Sequence, residues 1–251
     1  MSAPLAGVRV LLTHPARTSD QLEPLLRADG ADVVCAPLIE ITAAPDAAAL
    51  QTAVDAADDA DWVVFSSVNG VEAFARMRDA PLRPGTFIAA VGRATASAVD
   101  VKLGRPADLV PSRPDAEGLA EELVGRAHER ARIAVFVALD AGPALVQRLR
   151  TAGLRVDAAV AYATRAVAHR DLARSVAGAD IIVLTSGSGA RALAEGLALE
   201  PGLEALAGKA VVCIGPVTAA AASGAGIAVT AVACDPSPHA LREAIRSCAR
   251  R

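Results

Sequence analysis

Aromatic residues are scarce in this chain: one tryptophan, one tyrosine and four phenylalanines among 251 residues. Proteins that read single-stranded nucleic acid need ring platforms for the bases, so that class is excluded. Excess charge is also lacking. The formal net charge is −3, too little and of the wrong sign to hold nucleic acid or an anionic membrane by bulk attraction. No apolar run approaches the roughly 20 residues of a membrane-spanning helix. The opening stretch Met1–Gly7 has no basic segment followed by a long apolar one, which predicts no secretion signal. Cys35, Cys213, Cys234 and Cys248 are scattered without a Cys-x-x-Cys pair. This spacing predicts a reducing, cytoplasmic setting and no structural zinc. Cys35 and Cys213 fall in strand candidates, where cysteine acts as a small hydrophobe. His14, His128, His169 and His239 lack metal-ligand spacing, and no nucleophile elbow, P-loop or dinucleotide fingerprint is present. Neither a metal nor a cofactor is expected.

What is abundant is small aliphatic residues. Hydrophobic residues make up 53% and charged ones 21%, the composition of a well-packed globular chain rather than a disordered one. The length suits two domains of about a hundred residues each. A repeat supports that division. Asp61-Trp62-Val63-Val64-Phe65-Ser66-Ser67-Val68-Asn69-Gly70 returns as Asp180-Ile181-Ile182-Val183-Leu184-Thr185-Ser186-Gly187-Ser188-Gly189. Val91-Gly92-Arg93-Ala94-Thr95-Ala96 returns as Ile214-Gly215-Pro216-Val217-Thr218-Ala219, and Arg9–Val33 returns as Arg132–Val156. Two related halves predict two similar lobes, with the ligand in the cleft between them.

Short apolar runs alternate with stretches of helical period. Strands are predicted at Val8–Leu12, Val33–Ala36, Trp62–Phe65, Phe87–Ala90, Ile133–Val137, Val156–Val160, Ile181–Leu184, Ala210–Ile214 and Ile227–Ala231. Gly30 and Gly153 sit where helices should end. Near-continuous apolar strands separated by helices imply an α/β fold of parallel sheets covered on both faces. Each half can form one lobe. Alternatively the chain crosses between lobes near Leu38–Thr42 and returns near Ala161–Arg165. The pattern itself leaves both arrangements open.

Four units in this repeat carry chemistry. Ser66-Ser67 with Asn69, and Thr185-Ser186, follow a strand and open a helix; Gly92 to Thr95 and Gly215 to Thr218 do the same. Ligands of open parallel sheets bind beyond the carboxyl ends of the strands. Unpaired N–H groups at a helix start, joined by hydroxyls, hold anions without a charged side chain. Singly, each unit reads as an ordinary helix cap. As a repeated set they predict two walls of neutral donors for a ligand rich in carboxylates. The acidic cluster Asp55, Asp58, Asp59 and Asp61 reads as a solvated helix end. Tyr162, the only tyrosine, lies in the second crossing stretch; it reads either as a half-buried linker aromatic or as a proton donor.

These motifs, taken in order along essentially the whole chain, resemble the uroporphyrinogen-III synthase family. The residues that carry the likeness are Val10-Leu11-Leu12-Thr13-His14-Pro15, Pro37-Leu38-Ile39-Glu40-Ile41, Trp62–Gly70 with Val71 and Phe74, Val91–Ala96, and Glu117-Gly118-Leu119. They continue with Tyr162, Thr185-Ser186, Ile214–Ala219 and Asp235–Leu241. The resemblance implies the crossing topology: a first lobe of residues 1–37 plus 167–251, a second of 42–160, and a two-stranded linker of 38–41 and 161–166. It implies a cofactor-independent, monomeric, cyclising hydro-lyase. Such an enzyme removes water from hydroxymethylbilane, a linear tetrapyrrole with eight carboxylates, and inverts its last pyrrole ring while closing the macrocycle. It implies Tyr162 as the acid, with Thr13, His14, Ser66, Ser67, Asn69, Gly92, Thr95, Thr185, Ser186, Gly215 and Thr218 as substrate-binding residues. Two departures are visible. The family often has arginine where this chain has His14, and an arginine- and glycine-rich turn where it has Ala138-Leu139-Asp140-Ala141-Gly142-Pro143. Tyr162, Thr95 and Thr218 favour the enzyme, whereas the altered segment Ala138–Pro143 favours an alternative, a non-catalytic tetrapyrrole- or polyanion-binding regulatory module on the same scaffold.

Overall fold

A computed structural model of the chain describes residues 3–198 and 202–249, apart from the side chains of residues 16–20. In chain order the first elements are β1 (Arg9–Leu12), α1 (Ala16–Ala28), β2 (Asp32–Cys35) and β3 (Ile39–Ala43). Next come α2 (Ala47–Ala56), β4 (Trp62–Phe65), α3 (Val68–Arg76), β5 (Phe87–Ala90), α4 (Arg93–Leu103) and α5 (Ala116–Arg126). They are followed by β6 (Arg132–Ala138), α6 (Ala144–Thr151), β7 (Arg155–Ala166), α7 (Leu172–Gly178), β8 (Ile181–Leu184) and α8 (Gly187–Leu197). The chain closes with β9 (Ala210–Cys213), α9 (Pro216–Gly224), β10 (Ala231–Val232) and α10 (Pro238–Ala249).

The described chain divides into two compact units, residues 1–40 with 165–251 and residues 41–164. Each contains one five-stranded sheet, ordered β10-β9-β8-β1-β2 in the first unit and β3-β7-β6-β4-β5 in the second. The repeat maps one sheet on the other: β9-β8-β1-β2 corresponds to β5-β4-β6-β7. Each unit therefore joins the opening strand pair of one half to the later strand pair of the other half. The pairings β1–β2, β1–β8, β8–β9 and β9–β10, and β4–β5, β4–β6 and β6–β7, are all parallel.

Alternation along the strands builds a core on each sheet face. In the first unit Leu11, Ile182, Leu184, Val211 and Cys213 pack under Val176, Leu193, Leu197 and Ala222. Val10, Leu12, Ile181, Val183 and Val212 face Leu22, Leu26, Leu241 and Ile245 of α1 and α10. In the second unit Val63, Phe65, Ile88, Ala134 and Phe136 meet Leu50, Val54, Val71, Phe74 and Val99. Trp62, Val64, Ala89, Ile133 and Val135 meet Leu119, Leu123, Leu145 and Leu149 of α5 and α6. Phe65, Phe74 and Phe136 form a ring trio with centroids 4.8–5.7 Å apart, each pair worth about 0.5–1.5 kcal/mol beyond its buried area.

Gly30 and Gly153 end α1 and α6 at φ +89° and +85°, where a side chain would be strained. Two features differ from the sequence pattern. Residues 227–230 are not a strand: Gly226 takes φ +80° and drops Ile227 into the core, so pairing resumes only at Ala231–Val232. The stretch expected as one strand of the linker, 38–41, runs into β3 beside β7, and the Thr42 hydroxyl donates to the Ala163 carbonyl. Cys35 closes β2 exposed, its thiol beside Glu23, whereas Cys213 is fully buried. The acidic cluster is paired rather than merely solvated. Asp58 binds Arg78 at 2.8 Å, and the Asp61 carboxylate accepts from the Arg132 N–H.

Candidate functional site

The predicted site residues fall at the carboxyl ends of the strands of their own sheets. In the first unit β1 runs into Thr13 and His14, β8 into Thr185 and Ser186, and β9 into Gly215 and Thr218. In the second unit β4 runs into Ser66, Ser67 and Asn69, β5 into Gly92 and Thr95, and the distal half of β7 carries Tyr162. Strand order brings the three groups of each unit onto one rim, because β8 lies between β1 and β9, β4 lies beside β5, and Tyr162 of β7 pairs with Ala138 at the end of β6, the other neighbour of β4. The backbone there repeats as well: the Val91 N–H donates to the Phe65 carbonyl, and the Ile214 N–H to the Leu184 carbonyl.

Several of these side chains are engaged by the fold. Ser67 and Ser186 cap α3 and α8, accepting the Gly70 and Gly189 N–H groups at 3.1 and 3.0 Å. As acceptors they satisfy orphan helix donors, and Ser186 also shares a 3.2 Å hydroxyl–hydroxyl bond with Ser188. The Thr13 hydroxyl donates to the Val183 carbonyl at 2.8 Å, and the Ser66 hydroxyl makes a long 3.4 Å contact with the Phe136 carbonyl.

Others are left unengaged. Helices α4 and α9 start at Gly92 and Gly215 with no side-chain cap, so their first N–H groups remain unclaimed by any side chain. Three residues along, Thr95 and Thr218 are buried. Among the described residues their hydroxyls have no hydrogen-bond partner, yet they are not sealed from solvent. Thr185 and Asn69 are likewise unpaired. The Tyr162 ring packs in the cluster of Phe65, Phe74 and Phe136, while its phenol oxygen, also without a partner among the described residues, keeps solvent access. Its carbonyl accepts the Leu139 N–H at 2.9 Å, across a register irregularity at Val137/Ala138. The segment Ala138–Pro143 thus borders the second rim, with Leu139 exposed.

His14 is different again. It is 3% exposed, and neither ring nitrogen has a partner among the described residues. Burial lowers its pKa to about 4, so the imidazole is neutral at pH 7. Sequence reasoning passed over Arg93, the first residue of α4. It is exposed, and no ion pair involves it among the described residues. A cation at a helix start opposes the helix dipole, and that mismatch was the available signal. One recess of the second unit, about 350 Å³ lined largely by alanines 49, 53, 56, 60 and 134, opens at the amino end of β6. It is remote from the polar rim and offers little to an anion. Among the described residues no group of His, Cys, Asp and Glu side chains is placed to hold a metal, and no helix is long and apolar enough to cross a membrane.

A family model described as uroporphyrinogen-III synthase HemD matches residues 20–243. The chain is 30% identical over 169 residues to the porphyrin biosynthesis protein HemD of Ruminiclostridium josui, covering 65% of this chain and 33% of that protein. It is 28% identical over 226 residues to uroporphyrinogen-III synthase of Synechococcus elongatus, covering 86% of this chain and 85% of that one. It thus spans about a third of the first relative and most of the second. Solved structures of uroporphyrinogen III synthase from Thermus thermophilus (a mutant form) and Helicobacter pylori superpose with TM-scores of 0.69 and 0.62. Each is 17% identical and is covered to 99% by this chain, of which 97% and 96% take part. At that identity the likeness establishes the two-domain α/β fold. The names of the relatives do not favour the non-catalytic module.

Proposed function

The chain belongs to the uroporphyrinogen-III synthase family, and we propose that it closes hydroxymethylbilane to uroporphyrinogen III, with loss of water and inversion of the last pyrrole ring. The observation that carries this reading is the pair Thr95 and Thr218: buried, unpaired hydroxyls, each in the first turn of a helix that lacks a side-chain cap. Such donors suit carboxylates and cost little when water occupies them instead. The substrate's carboxylates are taken by these groups together with Asn69, Thr185 and the proton-bearing hydroxyls of Ser66, Ser67 and Ser186. Thr13 holds the first rim in place through Val183.

The chemistry then makes a modest demand. The Tyr162 phenol gives its proton to the departing hydroxyl, which leaves as water. Electrons from the pyrrole nitrogen stabilise the resulting methylene cation. Left alone, that cation closes at the unsubstituted carbon of the far ring and gives the type I isomer. Attack by the substituted carbon gives a spiro intermediate whose rearrangement inverts the ring; loss of a proton, accepted by the phenolate, restores aromaticity and the enzyme. Control is therefore mainly positional. We place the reaction in the cytoplasm, in keeping with four free thiols, and expect a monomer that needs no cofactor. Fresh hydroxymethylbilane given to the purified protein tests the reading: type III product is expected, and only type I product would reject it.

A further inference from the structure

The repeat that builds both units is broken at one position. Gly92-Arg93-Ala94-Thr95 after β5 and Gly215-Pro216-Val217-Thr218 after β9 match, yet one carries arginine where the other carries proline. The turn before α4 is fixed by the Val91 N–H, which donates to the Phe65 carbonyl at 3.0 Å. The first bond inside α4 runs from the Ala96 N–H to the Gly92 carbonyl. The N–H groups of Arg93, Ala94 and Thr95 therefore have no acceptor among the described residues. Helix α9 offers one donor fewer, because Pro216 has no N–H and its first bond runs from Ala219 to Gly215. In the same turn of α4, Thr95 is 4% exposed, and its hydroxyl is unpartnered among the described residues while still reaching solvent. Arg93 is exposed, with no ion pair among the described residues. A cation at a helix start is opposed by the helix dipole, so Arg93 gives the fold nothing there. A bound anion would satisfy the cation, the free N–H groups and the hydroxyl together.

We propose that Arg93 is a substrate-binding residue that makes the start of α4 a charged carboxylate subsite, unlike its neutral counterpart at the start of α9. The guanidinium offers a planar fork of donors to one carboxylate of the substrate, and the Thr95 hydroxyl and the free N–H groups of the turn complete the set. At α9 a carboxylate meets only two N–H groups and the Thr218 hydroxyl, with no cation from the turn. The two related starts thus bind in different ways, one by charge and hydrogen bonds and the other by hydrogen bonds alone. This assignment rests on the proposed synthase function, and the test separates the two.

Arg93→Gln keeps a polar side chain and deletes the charge. KM for hydroxymethylbilane should rise by about 10- to 100-fold, with kcat changed far less. Added salt should raise the wild-type KM steeply and the variant's KM much less, because screening acts on the charge that was removed. Arg93→Lys, which returns the charge without the planar fork, should restore the salt response and only part of the affinity. Thr218→Val, at the neutral start, should raise KM and leave its salt response unchanged. Arg93→Gln should melt no lower than the wild type, since the helix loses an opposed cation. Calorimetric titration with uroporphyrinogen III under reducing conditions repeats the comparison without turnover. If the wild type makes type III product while Arg93→Gln keeps the wild-type KM, keeps the full salt response or melts lower, the inference is overturned. If the wild type makes no type III product, the synthase reading has failed, and the titration decides: equal affinity of wild type and Arg93→Gln for this octacarboxylate overturns the inference, whereas weaker, less salt-sensitive binding by the variant supports it.

Discussion

Replacing Tyr162 by phenylalanine removes one oxygen and leaves the ring, and the structure separates what that oxygen does for folding from what it does for chemistry. The ring is 7% exposed and belongs to the cluster of Phe65, Phe74 and Phe136, which phenylalanine fills equally well. The oxygen has no partner among the described residues and touches solvent, so no protein hydrogen bond is lost. The stability change should stay within about 0.5 kcal/mol, the range of substitutions that disturb no packing. Turnover should respond differently. General-acid assistance is worth about 10²- to 10⁴-fold, or about 3–5 kcal/mol of barrier. The leaving step is intrinsically easy, so we expect a loss near or below the lower figure. The measurement is a pair: urea unfolding of both proteins, and initial rates on fresh hydroxymethylbilane with the isomers resolved. The expected result is unchanged unfolding, slower turnover and product that is still type III. Unchanged turnover would remove the phenol from the mechanism. Retained rate with loss of isomer control would mean that Tyr162 positions the last ring, a different job from the one proposed.

Two further predictions concern stability. Asp29 is buried, and its carboxylate accepts from Arg242 Nε at 2.7 Å and Arg246 Nε at 2.6 Å, fastening α10 to the end of α1; the guanidinium bonds hold its pKa far below the usual carboxylate range. Asp29→Asn leaves two cations facing a neutral amide and should cost about 3–5 kcal/mol, seen as a melting point lower by about 10 °C; a loss under about 1 kcal/mol would contradict this. His14 predicts an acid limb. Its pKa is lowered from 6.5 to about 4, so the unfolded chain takes up a proton first, and stability falls as pH drops from about 6.5 towards 4, by at most about 3 kcal/mol. The Asp29 contribution has the depressed-carboxylate sign and is lost only at lower pH, below about 4. Urea midpoints against pH for wild type and His14→Phe should converge as pH rises and separate across that window in favour of the variant, relative to their difference at pH 7.5; parallel curves would contradict the assignment.

Much of the architecture was legible because the chain states it twice. The apolar runs of β4 and β8, each followed by a serine that caps the next helix through the third residue onward, are local features, and local features survive into the fold. Helix-ending Gly30 and Gly153 are legible for the same reason. What was not legible depends on distant partners. Apolar character at 227–231 signals burial equally well in a strand or in a loop, and Gly226 decides for the loop. The Asp29 clamp joins positions 213 and 217 apart and leaves no local signature. At the rims, the residue types were visible, but which hydroxyls would be engaged was not. Ser67 and Ser186 differ from Thr95 and Thr218 only in standing one step before the helix rather than in its first turn. That step turns a hydroxyl into a cap in one case and leaves it unpaired in the other.

The central proposal is that unpaired hydroxyls at the strand ends hold the substrate's carboxylates and so decide which ring carbon closes the macrocycle. The most direct test is the isomer ratio and KM of the double variant Thr95→Val, Thr218→Val, which keeps the branched side-chain shape and deletes both hydroxyls. Each lost bond to a carboxylate should raise KM by about ten-fold, and type I product should appear beside type III. A double variant that folds, binds with the wild-type KM and yields only type III would contradict the account.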